Sequence, residues 1–209
     1  MLVHREGPRS LIPRSPLPLT VLALAGGGFA GLVVLVLVGT VEAETDVRHA
    51  LLGWASPTLV AVLDVINLAG DWRLILPGAV VLFALFPGAR ERWRAWVGLI
   101  VATPLAESLV KHLIGRTRPE DLSLGFPSGH VTAAAAFFGA LGYLIAGVPS
   151  RGVRLAVRVG AVLIVLLVAL ARIVLRAHWP LDALGGAVLG LALASAAAWA
   201  AQVPAGEER

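Results

Sequence analysis

Two long stretches without a single charge, residues 15–41 and residues 183–206, fix the solvent in which this chain folds. Each is longer than the roughly 20 residues an α-helix needs to cross the bilayer core. Composition agrees: 58% of residues are hydrophobic and 14% charged, against about a quarter charged in soluble domains. The chain is therefore an integral membrane protein. With 209 residues and several spans there is room for one domain, and no internal repeat or soluble module interrupts it.

The pattern predicts spans over about 19–41, 73–88, 95–114, 130–148, 153–175 and 180–203. Residues 46–72 are apolar but broken by Pro57, Asp64, Asn67 and Gly70-Asp71. They read as an amphipathic or re-entrant helix at the membrane face rather than a span. Val41-Glu42-Ala43 looks like a signal-peptidase site, yet the apolar run before it is far longer than the roughly 7–15 residues of a signal core, so that helix is expected to stay. The expectation is an all-α, integral membrane six-helix bundle with one additional interfacial helix. Residues 1–18 and 204–209 form cytoplasmic tails around a single domain at 19–203.

Charge orients the bundle. The net charge is +4, but the basic residues lie in short connections, where they set topology rather than bind nucleic acid. Arg5, Arg9 and Arg14, then Arg90, Arg92 and Arg94, then Arg151, Arg154 and Arg158, and finally Arg209 all fall on one side of a six-span plan. The positive-inside rule makes that side cytoplasmic. The chain has no cysteine, which excludes disulfides, thiolate metal sites and a cysteine nucleophile.

Three polar clusters interrupt the apolar background, and the same parity puts all three at the opposite, extracytoplasmic mouth. The first runs from Lys111, the only lysine, to Arg118-Pro119. It offers a movable ammonium and a planar guanidinium suited to phosphate oxygens, with Glu107 one helical turn before Lys111 as a partner for it. The second is Pro127-Ser128-Gly129-His130, directly before an apolar helix. Ser128 is placed to cap that helix, Gly129 admits an oxyanion close to the backbone, and His130 can donate a proton to a leaving oxygen. The third holds Arg172, His178 and Asp182. His178 and Asp182 are four residues apart, on one face if helical, so the carboxylate can fix the imidazole tautomer and leave a nucleophilic nitrogen.

Lys-x6-Arg-Pro, Pro-Ser-Gly-His and Arg-x5-His-x3-Asp, in that order, resemble the type 2 phosphatidic acid phosphatase superfamily, in its membrane-bound branch. The resemblance implies that His178 attacks phosphorus and becomes a phosphohistidine, with Asp182 orienting it. It implies that His130 protonates the departing oxygen and later activates water. Lys111, Arg118, Ser128, Gly129 and Arg172 would hold the phosphoryl oxygens, and no metal or other cofactor is called for. The family often has Ser before the third-motif arginine; here the position is Ala171.

The expected function is hydrolysis of a membrane lipid phosphate, a polyprenyl diphosphate or a phosphatidate-type lipid, with the bilayer itself as the other partner. A phosphotransferase would share every motif, and a non-catalytic lipid transporter or scaffold is the remaining alternative. Nothing in the pattern sets an oligomeric state.

Overall fold

The protein is described by a computed structural model, over residues 15–39 and 41–202. Among these residues the chain is helical, without a strand ladder: α1 (Leu17–Val38), α2 (Val41–Gly53), α3 (Pro57–Asn67), α4 (Trp72–Leu85), α5 (Pro87–Glu91), α6 (Trp93–Ile114), α7 (Gly129–Leu144), α8 (Arg151–Val174) and α9 (Pro180–Ala200). Arg5, Arg9, Arg14 and Arg209, with nearly all of both expected tails, lie outside the described residues. Helix ends follow local chemistry. Ser56, Asp71 and Ser150 cap α3, α4 and α8 with their side chains. Gly115, at φ 68°, takes the left-handed conformation that closes α6.

Five helices, α1, α6, α7, α8 and α9, are long and apolar enough to cross a membrane. α4 is shorter than the expected span at 73–88. Pro87 forces Phe86 into an extended conformation (φ −109°, ψ 108°) and ends α4 at Leu85. Its 14 residues reach only about 21 Å at 1.5 Å per residue.

Residues 46–72 resolve into α2 and α3, bent by 112° at the break between them. Both ends of this pair sit at one end of the bundle. Near its start, Glu44 accepts from the backbone N–H of Leu181, at the beginning of α9. Just after it, Asp71 lies 3.8 Å from His130, at the beginning of α7. The segment therefore returns to the face it leaves, as expected of a re-entrant element, and α3 packs Leu63 against Ala171 and Val174 of α8.

The centre of the bundle is α7 against α9, and it is built from small residues. A Cβ on Gly190 would come within 2.3 Å of the Thr132 carbonyl oxygen, and one on Gly186 within 2.6 Å of that of Ser128. Backbones that close are possible only along a stripe of glycine and alanine. The opposite end of the bundle carries arginines that close helix C-termini. Arg90 donates to the carbonyls of Phe83 and Ala84, Arg154 to Val148 and Pro149, and Arg158 to Gly142.

This packing predicts a contrast between two glycines. Gly190→Ala should lower the thermal stability of the purified protein, by about 1–3 kcal/mol as overpacking does. Gly160→Ala, whose added methyl meets only open space on α8, should leave the melting temperature unchanged or slightly raised. Equal melting curves for both variants would contradict the close α7–α9 contact.

Candidate active site

The site assembles where α6 ends, α7 begins, α8 ends and α9 begins. Beyond Gly115 the chain makes a narrow loop. Thr117 bridges Leu124, the Arg118 N–H donates to the Ser123 carbonyl (3.0 Å), and the Gly125 N–H donates to that of Arg116 (2.7 Å). The loop is tied to α9 by the Ser128 N–H, which donates to the Asp182 carbonyl at 2.9 Å.

The connection from α8 to α9 places the candidate nucleophile. Arg176 adopts a left-handed conformation (φ 61°), and the N–H groups of Ala177 and His178 both donate to the Arg172 carbonyl at 3.1 Å. This hook folds His178 back over the end of α8, where it is 1% exposed. Its Nδ1 lies 3.4 Å from Oδ2 of Asp182, which is 0% exposed. An ionised carboxylate can only accept, so Nδ1 carries the proton and Nε2 keeps its lone pair. Burial holds the His178 pKa below the usual imidazole range. The hydrogen bond and charge of Asp182 oppose that shift, and the charges of Arg172 and Arg118 add to it. The imidazole is thus neutral and available as a nucleophile near neutral pH.

Cations surround it. Arg118 and Arg172 lie within electrostatic reach of each other and of both His178 and His130. Like charges gathered in a buried place favour an anion between them. Three buried polar atoms here have no partner within the protein: Nε of Arg118, Nε of Arg172 and the Ser128 hydroxyl. Buried polar groups are nearly always paired, so orphans of this kind point to a ligand or bound solvent.

Ser128 corrects an expectation. It occupies the N-cap position of α7, but its side chain makes no cap bond. The hydroxyl is left without a partner in the protein. Gly129 is held small by a neighbour, since a Cβ there would meet Oε1 of Glu107 at 2.8 Å. Glu107 in turn forms an ion pair with Lys111 one turn further along α6, which holds its carboxylate beside the start of α7. Every residue singled out in the sequence therefore sits at this end of the bundle.

Four further residues complete the surroundings without a local sequence signal. Arg116 donates to Oδ1 of Asp182 at 3.1 Å and is bonded to Glu44 on its other side. Asn67 accepts from Arg172 at 3.2 Å, and Asp71 faces Nε2 of His130. Ala171 is fully buried in the apolar contact with α3. The alanine thus serves the α3–α8 contact.

Below His130 the bundle opens. α4 and α6 each lean on α7 but scarcely touch one another, and a cavity of about 700 Å³ lies between them. Its upper rim is Asp71, Glu107, Gly129 and His130, and its walls descend through Ile75, Pro104 and Phe137 to Phe83, Ala89 and Trp96 near the opposite end. The wall is almost wholly apolar and the rim polar. At this end of the bundle the arrangement can hold a phosphoryl group among the unpartnered donors of Arg118, Arg172 and Ser128, attack it with one imidazole, and protonate a leaving group with another.

Comparison with known proteins shows the family and the fold. Residues 92–204 match the PAP2 superfamily. Phosphatidylglycerophosphatase B of Bacillus subtilis (strain 168) is 31% identical over 163 residues, spanning 73% of this chain and 80% of that protein. The crystal structure of a transmembrane PAP2-type phosphatidylglycerolphosphate phosphatase from Bacillus subtilis superposes with a TM-score of 0.73 at 26% identity, covering 86% of this chain and 93% of that one. Aquifex aeolicus LpxE shares the fold, with a TM-score of 0.61 at 17% identity over 74% and 94% of the two chains.

A depressed His178 pKa has a kinetic consequence. If the neutral imidazole is the reacting form, protonation switches activity off only below the His178 pKa. The acidic limb of the kcat profile should therefore lie below the ordinary imidazole value of about 6.5. A limb at or above that value would place the controlling group elsewhere.

Proposed function

This chain belongs to the PAP2 superfamily and is a lipid phosphatase, and we propose that it cleaves a phosphomonoester of the phosphatidate type through a phosphohistidine at His178, without a metal. The observation that carries this reading is the set of unpartnered donors on Arg118, Arg172 and Ser128, at the same end of the bundle as the rim of an apolar cavity. The donors suit phosphoryl oxygens and the cavity suits a hydrocarbon tail.

In the first step Nε2 of His178 attacks phosphorus while the bond to the leaving oxygen breaks. The electron pair stays on that oxygen, and His130 supplies its proton. In the second step water attacks the phosphohistidine, His130 takes the water proton, and inorganic phosphate leaves with His178 restored. Lys111, Arg118, Arg172, the Ser128 hydroxyl and the Gly129 N–H stabilise the charge on the three equatorial oxygens, a contribution that is usually the largest in such reactions. These cations meet the phosphoryl charge that a divalent ion would otherwise neutralise. Vanadate, which can take the five-coordinate shape of the transferring phosphorus, is expected to inhibit.

The phosphatidylglycerophosphatase relative favours a glycerophospholipid phosphate such as phosphatidylglycerophosphate. A polyprenyl diphosphate, undecaprenyl diphosphate among them, is the other substrate the apolar cavity could hold. We further propose that the site opens outside the cytoplasm of a bacterial cell. Arg90, Arg154 and Arg158 cap helices at the far end of the bundle, and cationic connections stay on the cytoplasmic side.

Two measurements test these readings. Purified protein given phosphatidylglycerophosphate, phosphatidate and undecaprenyl diphosphate, in chelator and with or without an acceptor alcohol, should release inorganic phosphate fastest from a phosphatidate-type lipid. His178→Ala should abolish release, and His130→Ala should slow it by about 10²–10⁴-fold, as loss of a general acid–base group does. Normal turnover in His178→Ala would remove it as nucleophile, and transfer to the alcohol in place of hydrolysis would make the protein a phosphotransferase. Separately, a reporter fused within residues 120–125 should read external and one after Arg94 cytoplasmic; the reverse would invert the orientation.

A further inference from the structure

Arg116 and Arg118 stand two residues apart in the same basic string, yet their surroundings differ. Arg118 keeps a buried Nε with no partner, whereas Arg116 has both ends of its fork committed to carboxylates. One nitrogen donates to Oδ1 of Asp182 at 3.1 Å, and the other is bonded to Oε2 of Glu44. Its guanidinium carbon also lies 5.7 Å from the ring centre of Trp179, beside Arg48 at 5.5 Å. All three members of the bridge are largely withdrawn from solvent.

The two carboxylates also occupy the start of α9. Asp182 accepts from the Trp179 N–H at 3.0 Å, and Glu44 accepts from the Leu181 N–H at 2.7 Å. These are backbone donors that the first turn of a helix cannot satisfy itself. The result is a row of negative, positive and negative groups ending on the carboxylate that holds His178. We propose that Arg116, clamped by Glu44 of the re-entrant α2, is a positioning residue for His178, acting through Asp182 rather than on the phosphate. This rests on the reading of His178 as nucleophile.

A charge buried as deeply as Asp182 calls for a partner of opposite sign. Arg116 supplies it, and Glu44 offsets the excess positive charge so that Asp182 still favours a basic imidazole. The other charged groups facing this site are Arg118 and Asp121 from the loop, Arg172 from α8, His130 from α7 and, across Trp179, Arg48 from α2. They are common to every variant considered below.

The test compares Arg116→Ala, Arg116→Lys and Glu44→Gln in the full-length protein, with kcat, KM and the acidic limb of the kcat profile measured on phosphatidylglycerophosphate. Arg116→Ala should lower kcat by roughly 10–100-fold, as loss of an outer partner of an oriented histidine does, with KM little changed. Its acidic limb should move up in pH, because losing the Arg116 charge beside the His178–Asp182 pair makes His178 easier to protonate. Glu44→Gln should move the limb down, because the unbalanced Arg116 charge makes His178 harder to protonate and less nucleophilic. Arg116→Lys should recover part of kcat, since an ammonium reaches one carboxylate but cannot bridge two.

In an Asp182→Asn background, Arg116→Ala should add little further loss, the non-additivity of residues acting through one another. A rise in KM with unchanged kcat, or full additivity with Asp182→Asn, would make Arg116 a phosphate ligand and overturn the proposal. If Arg116→Ala does not fold, the Lys and Gln variants decide, and an unchanged limb in both overturns it. Turnover that survives His178→Ala would instead fail the underlying reading, an outcome separate from all of these.

Discussion

The carboxylate of Asp182 is the joint on which the site hangs. It is fully buried and meets the imidazole of His178, the N–H of Trp179 and the guanidinium of Arg116. The carbonyl of the same residue accepts from Ser128. One residue thus joins the α8–α9 connection, the first turn of α9, the loop after α6 and the entrance to α7. An isolated carboxylate could not remain charged in such a place. The loop that carries Arg116 is therefore bound into the structure by the same contact that orients the imidazole, and even the space beside it is constrained, since a Cβ on Gly125 would come within 2.8 Å of Oδ2.

That joint can form only because α7 and α9 approach so closely. Gly186 lies one turn beyond Asp182 and abuts the Ser128 carbonyl, and Gly190 abuts that of Thr132. The stripe that packs the two helices also brings their N-termini, both at the end that holds the candidate site, side by side. Two helix starts together present a concentration of backbone donors and positive dipole ends. Asp182 and Glu44 accept from backbone N–H groups at the start of α9, while Ser128 at the start of α7 keeps a buried hydroxyl without a protein partner.

Much of this was legible in the sequence, and the reasons differ from residue to residue. Lys111, Arg118, Ser128, Gly129, His130, Arg172, His178 and Asp182 stand out because polar groups are conspicuous in an apolar chain, and span parity puts them at one end. The re-entrant character of residues 46–72 was visible in Pro57 and in Asn67 to Asp71. Arg116 was not distinguishable from Arg118, because only the fold decides which guanidinium is held between two carboxylates and which keeps a buried nitrogen without a partner. Glu44 is 137 residues from the N–H it caps, and Asn67 is 105 residues from Arg172; no local pattern carries such a pairing. The end of α4 was misplaced by three residues because hydropathy runs on through Phe86, whereas Pro87 sets the backbone there.

The cavity bears on specificity in a way opposite to its size. An apolar wall grips a hydrocarbon tail equally in the ground state and in the transition state, and such uniform binding lowers KM without speeding the chemical step. It also distinguishes poorly between tails, since a methylene in an apolar pocket is worth only about 1–3 kcal/mol of discrimination. With a tail in the cavity, selection among lipid phosphates would fall to the polar rim, which His130, Asp71 and Glu107 form. A hydroxyl there can find a hydrogen-bond partner, whereas a second phosphate meets the Asp71 carboxylate, the charge of Glu107 being offset by Lys111. Like charges brought together at a buried rim cost several kcal/mol, more than any single methylene of the tail can offset.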